Sequence, residues 1–249
     1  MAKSAFDHCS GDYAAHRPGY PDAVLDAICA AAGGAEGAVA VDIGAGTGIF
    51  SHLLAARGFR VIAIDPSTSM LGQMEEQAST GVRPVCSTAE QTALADASVD
   101  LVTFAQSFHW VNPPYALAEV GRILRPGRVL ALVWNNRDLR DPFVQAFERT
   151  IANWNRAYRC EYRRQDWVGK AAAAGLFTPL ELSTFESLWR MPQEGFIGFT
   201  RSASYIRNVL SREDRPRFED EIRRLLGEYF GAGDCVVPLV TELWLCKQC

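Results

Sequence analysis

Val41-Asp42-Ile43-Gly44-Ala45-Gly46-Thr47-Gly48 is the stretch that decides the fold of this chain. An apolar run, Ala38 to Ile43, leads into three alternating glycines, and the glycines open a helix expected over Ile49 to Arg57 and stopped by Gly58. A short buried strand, a glycine turn and a helix in that order begin a βαβ unit. Glycine at the junction permits positive φ and lets a ligand come close to the backbone. The free N–H groups of the helix start then face an electronegative ligand. The glycines fall at 44, 46 and 48 and position 49 is Ile, so the spacing is G-x-G-x-G rather than the G-x-G-x-x-G of a dinucleotide site. A nicotinamide oxidoreductase is therefore the weaker use of the turn, and a tight turn without a ligand is the plain alternative against which Asp65 counts.

Outward from the turn the same alternation continues. Asp22 to Ala32 reads as a helix stopped by Gly33-Gly34. Phe59 to Ile64 is a second buried strand ended by Asp65-Pro66, and Ser67 caps a helix running to about Ala78. Arg83 to Cys86, Val99 to Ala105 and Arg128 to Trp134 are further strands, with a helix over Tyr115 to Leu124 and a turn at Pro126-Gly127. Short, nearly continuous apolar strands alternating with helices predict an α/β fold, a doubly wound, mostly parallel seven-stranded sheet with a helical cap inserted. Helices are expected over Asp141 to Tyr158, Asp166 to Ala174 and, two or three of them, Pro192 to Leu226. The expected organisation is a single domain over 1–249. Residues 36–136 form its binding core, 1–20, 137–178 and 191–234 its cap or lid, and 179–190 and 236–247 its closing strands.

Composition limits the class of partner. The chain has 249 residues, 48% hydrophobic and 22% charged, which is ordinary globular material. Lys plus Arg number 25 against 29 Asp plus Glu, so no basic excess asks for nucleic acid. The N-terminus has no apolar core of a secretory signal, and the longest fully apolar run, Val129 to Trp134, is six residues where a membrane span needs about 20. The seven cysteines are scattered and odd in number, which fits reduced thiols in a cytoplasm better than a disulfide framework. Cys246-Lys-Gln-Cys249 has no second pair to complete a zinc site, so no metal is expected. The remaining expectation is a small-molecule partner, with no nucleic acid and no membrane, for a monomer or homodimer.

Asp65 lies 21 residues after Gly44, at the end of the second strand, where a carboxylate meets the ribose hydroxyls of a nucleoside bound at the glycine turn. With the turn it belongs to a longer set: residues 41–48, Ile-Asp-Pro-Ser-x-x-Met-Leu (64–71), Ser-Thr-Ala-Glu (87–90) and Asp-Ala-Ser-Val-Asp-Leu-Val (96–102). These resemble the successive motifs of class I S-adenosylmethionine-dependent methyltransferases. The nearest group is the small-molecule one that includes ubiquinone/menaquinone-biosynthesis and trans-aconitate methyltransferases. Tyr-Ala-Ala-His-Arg-Pro-Gly-Tyr-Pro (13–21) and Ala-Gln-Ser-Phe-His-Trp (105–110) also resemble segments of that group.

The resemblance implies S-adenosyl-L-methionine as cofactor. Gly44, Gly46 and Gly48 would pass its amino acid end and Asp42 would orient the turn from beneath. Asp65, with Pro66 beside it, would hold the ribose; Met70 would cover the adenine, and Ala89 and Glu90 would lie at its edge. Tyr13 or Arg17 would fold over the carboxylate end. Thr88 departs from the Asp that such enzymes often carry, so a carboxylate for the adenine amino group is either absent or supplied by Glu90.

Gln106 to Trp110 follows the fourth strand and faces the cofactor from the acceptor side, with Gln106 nearest it. Methyl transfer uses an already activated reagent, so alignment and exclusion of water can supply much of the acceleration. A histidine near its unperturbed pKa suits removal of a proton from the acceptor, which makes His109 the candidate base. His16, Phe108, Trp110, Trp134 and Tyr205 are the candidate acceptor-binding residues, among aromatics dense enough to line a pocket. Arg156, Arg159, Arg163 and Arg164 are either a solvated helix face or a site for an anionic acceptor. Two alternatives keep the fold: cyclisation or rearrangement without methyl transfer, and amine methylation through Asn112-Pro113-Pro114-Tyr115. Ala105 to Val111 separate that tetrapeptide from the fourth strand, so it is expected to start the next helix.

Overall fold

The apolar runs of the first half become the middle of one sheet. In the computed structural model, which describes residues 17–76, 81–159, 169, 173 and 175–249, the strands are β1 (Val39–Ile43), β2 (Arg60–Asp65), β3 (Val82–Cys86), β4 (Val99–Ala105), β5 (Leu124–Arg137), β6 (Glu181–Met191) and β7 (Cys235–Lys247). Their order across the sheet is β3-β2-β1-β4-β5-β7-β6. The pairs from β3 to β5 are parallel, and β7 runs antiparallel to both β5 and β6. The order reverses between β1 and β4, so the carboxyl ends of these two strands form the crevice where an open α/β sheet binds ligands.

Both faces of the central strands are covered, which is why they carry no apolar–polar alternation. One face packs Val41, Phe104, Leu132 and Trp134 against Leu117 and Val120 of helix α4 (Pro113–Ile123). The other packs Ala40, Leu101 and Ala131 against α1 (Asp22–Ala32) and α2 (Ile49–Ala56), through Leu25, Ile28, Phe50 and Leu54. Gly33, at φ 80°, closes α1 in the left-handed conformation that its sequence position predicts. Helix α3 (Thr68–Glu76) begins after Ser67, whose Oγ accepts from the Met70 amide at 3.4 Å.

The cap has its own core. Helices α5 (Pro142–Trp154), α6 (Gln193–Ser202), α7 (Ser204–Arg207) and α8 (Asp214–Phe230) enclose Phe143, Phe147, Phe196, Phe199 and Ile222, and this cluster continues onto Val237 and Leu239 of β7. Asp141 caps α5 by accepting from the Val144 amide at 3.0 Å. The cap therefore rests on the sheet through the strand that runs against its neighbours.

Two of the boundaries that differ from the sequence reading bear on the site. The fifth strand was expected over Arg128 to Trp134 after a turn at Pro126-Gly127, but β5 is continuous from Leu124 to Arg137. Its extension beyond Trp134 is paired with β7, Asn135 opposite Thr241 and Arg137 opposite Leu239, a partner about a hundred residues away that local hydropathy does not register. Helix α4 begins at Pro113 rather than Tyr115, because Asn112 is extended at the N-cap and two prolines fit a first turn whose N–H groups have no partner to lose. Asn112-Pro113-Pro114-Tyr115 thus opens a helix, as its distance from β4 implied. The helix expected over Asp166 to Ala174 lies almost entirely outside the described residues, as do Tyr13, His16, Arg163 and Arg164. Among the described residues no helix is long and apolar enough to cross a membrane.

Trp134 is 0% exposed, in the core between the sheet and α4. Its replacement by Ala should cost about 3–5 kcal/mol through lost burial and a large cavity, read as a lower midpoint in urea unfolding. A stability unchanged by the replacement would show that the ring is not part of the core.

Candidate active site

The glycine turn is stitched to both neighbours of β1. The Gly44 and Ala45 amides donate to the Ile64 carbonyl at the end of β2, at 2.8 and 3.0 Å. Ser107, just past β4, donates to the Ile43 carbonyl at 2.5 Å. The three glycines then differ in purpose. A Cβ on Gly44 would sit 2.4 Å from Ser107 Cβ, and one on Gly48 2.7 Å from Met74 Cγ. A Cβ on Gly46, at φ 59°, would meet nothing within 4 Å among the described residues. Gly44 and Gly48 are therefore required by packing, and Gly46 is the place where the backbone lies open to a ligand.

Two carboxylates support the turn. Asp42, 1% exposed, accepts from Ser51 Oγ of α2 at 2.6 Å and from Thr103 Oγ1 of β4 at 2.8 Å. Burial pushes its carboxyl from the ordinary 3.8 up to about 6, against the two hydroxyl donors, and the charge of Asp65 pushes the same way. Asp65 accepts from the Gly46 amide at 2.9 Å and from the Ser67 amide at 2.8 Å, one bond on each oxygen. Its carboxyl is also raised by burial, and the two backbone bonds work against that rise. A carboxylate oxygen has more than one acceptor site, so Asp65 can take further donors while holding the turn. The Thr47 hydroxyl is buried with no hydrogen-bond partner among the described residues. Ser51, Thr103 and Thr47 were not named from the sequence. Thr47 lies inside the motif itself, whereas Ser51 and Thr103 have no local signal.

Each of the other expected cofactor residues among the described ones has its own setting. Met70 and Ala89 are buried, and Pro66 is exposed. Glu90 accepts from the Asn112 amide at 2.9 Å, which ties its carboxylate to the start of α4. Arg17 lies with its guanidinium 5.2 Å from the centre of the Phe199 ring in the cap. Gln106 is a non-glycine residue at φ 58°, its amide bonded to Val133 O at 2.8 Å and its Nε2 to Asn135 O at 2.9 Å. Such a conformation costs of order 1 kcal/mol or more, and it persists here because β5 holds the residue on both sides.

Two of the residues expected on the acceptor side are buried in the core instead. Phe108 is fully buried and packs edge-on against Phe104, 5.0 Å between ring centres, so it floors the site from the core and presents no surface to an acceptor. Trp134 is likewise spent on the core, because its place in β5 points it at α4. His109 and Trp110 complete the short 3₁₀ turn Phe108–Trp110, their rings 4.9 Å apart, with Trp110 53% exposed and His109 half-buried. Tyr205 belongs to a cap network centred on Arg137, which donates to Tyr205 at 3.1 Å and Tyr158 at 3.0 Å and pairs with Glu148 at 2.6 Å.

Residues 41–132 match the family model for the methyltransferase domain. The chain thus resembles methyltransferases over rather more than a third of its length. It is 42% identical over 147 residues to an uncharacterised methyltransferase of Mycobacterium tuberculosis, a match covering 59% of this chain and 58% of that one. It is 32% identical over 170 residues to the ubiquinone/menaquinone biosynthesis C-methyltransferase of Rubrivivax gelatinosus, covering 66% and 61%. A solved structure described as a candidate type II methyltransferase of Anaeromyxobacter dehalogenans superposes with a TM-score of 0.71 at 26% identity, over 93% of this chain and 97% of that one. The chain thus has the Rossmann-like class I methyltransferase fold, while the aligned part spans under two thirds of the length of the sequence relatives.

The buried Asp42 has a pH signature. Unfolded chain releases this proton near 3.8 and folded protein near 6, so between these values the folded state holds more protons and stability falls as pH rises. The term is absent below pH 3.8 and complete above pH 6. Relative to the parent, Asp42→Asn should gain on the order of 3 kcal/mol between pH 3.5 and 7, measured by urea unfolding across that range. A constant difference between the two proteins would refute the raised pKa.

Proposed function

We propose that this protein transfers a methyl group from S-adenosylmethionine to a small organic acceptor, acting in the cytoplasm as a monomer or homodimer. The observation that carries the reading is the Asp65–Gly46 bond at the open glycine. It puts a carboxylate, an accessible backbone and an unpartnered Thr47 hydroxyl at one strand end, a set that suits a ribose and an amino acid tail. Two carboxylates within electrostatic reach of one another also favour a cationic ligand over an anionic one. When bound, the cofactor supplies a sulfonium methyl group already activated for substitution.

The chain's own residues then have three tasks. Asp65 accepts from the ribose hydroxyls with the lone pairs its backbone bonds leave free, and Thr47 gives or accepts one hydrogen bond beside the turn. Gln106, fixed between β4 and β5, marks where the acceptor meets the cofactor. His109, next to Trp110 at the rim, takes a proton from an oxygen, nitrogen or carbon acceptor as it is methylated. The Rubrivivax relative is named for C-methylation in quinone biosynthesis, which supports a small-molecule acceptor here. Amine methylation through Asn112 has less support, because Asn112 is the N-cap of α4 and its amide is bound by Glu90.

Two measurements test this reading. Calorimetric titration with S-adenosylhomocysteine should show micromolar binding to the parent and at least about tenfold weaker binding to Asp65→Ala, a difference of about 1.4 kcal/mol. A folded parent that does not bind would sink the cofactor assignment, and binding indifferent to the mutation would remove Asp65 from it. Once an acceptor is in hand, His109→Gln should lower kcat by about 100-fold or more at neutral pH while leaving S-adenosylhomocysteine binding intact. An unchanged kcat would leave alignment alone as the source of catalysis.

A further inference from the structure

Strand β5 ends in three polar residues, Asn135, Asn136 and Arg137, after a run of buried apolar ones. Two of the three are used up. Asn135 donates through Nδ2 to the Gly19 carbonyl at 2.8 Å and accepts through Oδ1 from Thr241 Oγ1 at 2.6 Å. Arg137 is neutralised by Glu148 and engaged by two tyrosine hydroxyls. Asn136, between them, is 8% exposed, and its Nδ2 is buried with no acceptor among the described residues. The end of β4 shows the mirror image. Gln106 spends its Nε2 on Asn135 O, and its Oε1 is left buried without a donor among the described residues. The Asn135 carbonyl belongs to the peptide that joins Asn135 to Asn136, so the residue that Gln106 bonds is the chain neighbour of Asn136.

Buried amide atoms without partners are rare, and those that exist call for an explanation. These two occur at the carboxyl ends of β4 and β5, on the acceptor side of the glycine turn, and one of them is carried by a residue held at a strained positive φ. We propose that Gln106 Oε1 and Asn136 Nδ2 together read the polar end of the methyl acceptor, and that they select a neutral group carrying both a donor and an acceptor, a hydroxyl or a carboxamide. The inference rests on the methyltransferase reading above and names the substrate class for the same site. A carboxylate offers acceptors alone and meets the lone pairs of Gln106, with the next cation in the strand, Arg137, already paired to Glu148. An ammonium offers donors alone and leaves Asn136 unmatched. A site built from buried polar groups discriminates strongly against ligands that fail to pair them.

The test uses the full chain saturated with S-adenosylhomocysteine and three probes on one scaffold, phenylacetamide, phenylacetate and phenethylamine, titrated by ligand-observed NMR. The amide should bind at least about tenfold more tightly than the acid or the amine. Asn136→Leu and Asn136→Asp should both lose that preference while binding S-adenosylhomocysteine as the parent does. Asn136→Leu should melt no lower than the parent, since it removes an unpaired buried donor, whereas a purely structural asparagine would lower the melting temperature when replaced. Absence of amide preference in the parent, or a preference that survives both substitutions, overturns the proposal. Failure of the parent to take S-adenosylhomocysteine overturns the methyltransferase reading as well, and the first titration reports that separately.

Discussion

One buried carboxylate joins the parts on which the site depends. Asp42 is the penultimate residue of β1, and its two oxygens hold Ser51 of α2 and Thr103 of β4. A charge without water around it is costly unless its lone pairs are occupied, and here two hydroxyls occupy them. The cost is visible in the raised proton affinity of the group. What it secures is the relative placement of strand, helix and neighbouring strand at the switch point of the sheet, where the glycine turn must sit without drifting. Gly44 against Ser107 and Gly48 against Met74 complete that junction by contact rather than charge, leaving Gly46 as the open backbone.

The reversed strand β7 extends this arrangement toward the cap. By pairing with β5 up to Arg137 it provides backbone partners for a strand end that would otherwise fray at its polar residues. The same strand offers Val237 and Leu239 to the aromatic core of α5, α6 and α8. Arg137 then links sheet to cap through Glu148, Tyr158 and Tyr205, with its guanidinium 5.2 Å from the Phe147 ring centre. A buried ion pair of this kind adds little net stability but tolerates few other geometries, which suits a junction that has to hold a fixed orientation. The arginine is thus a structural tie, and the anionic acceptor considered from the cap's basic residues finds no support in it.

Much of the fold was legible in the residues. The apolar runs before Gly44, before Asp65 and through Val99 to Ala105 could only be strands covered on both faces, and glycines, prolines and Ser67 marked most helix ends. The spacing of Gly44, Gly46, Gly48 and Asp65 pointed to a nucleoside site because these residues are local to one βαβ unit. The misplaced residues were those whose surroundings come from far along the chain. Trp134 and Phe108 were read as pocket walls because an aromatic beside a candidate site looks the same in sequence whether it turns toward a ligand or toward a helix.

The sequence by itself determined that a parallel sheet would form and that a glycine turn after its first strand would stand beside a carboxylate at the second strand's end, since both follow from residue type and short-range spacing. Tertiary structure alone decided that Gly46 and not its two neighbours is open, that Asp42 is held by Ser51 and Thr103, and that Asn136 and Gln106 keep unpaired polar atoms at one edge. Those outcomes depend on which side chains from distant segments arrive within bonding distance, and burial and hydrogen-bond satisfaction are properties of the assembled neighbours rather than of any one stretch of chain.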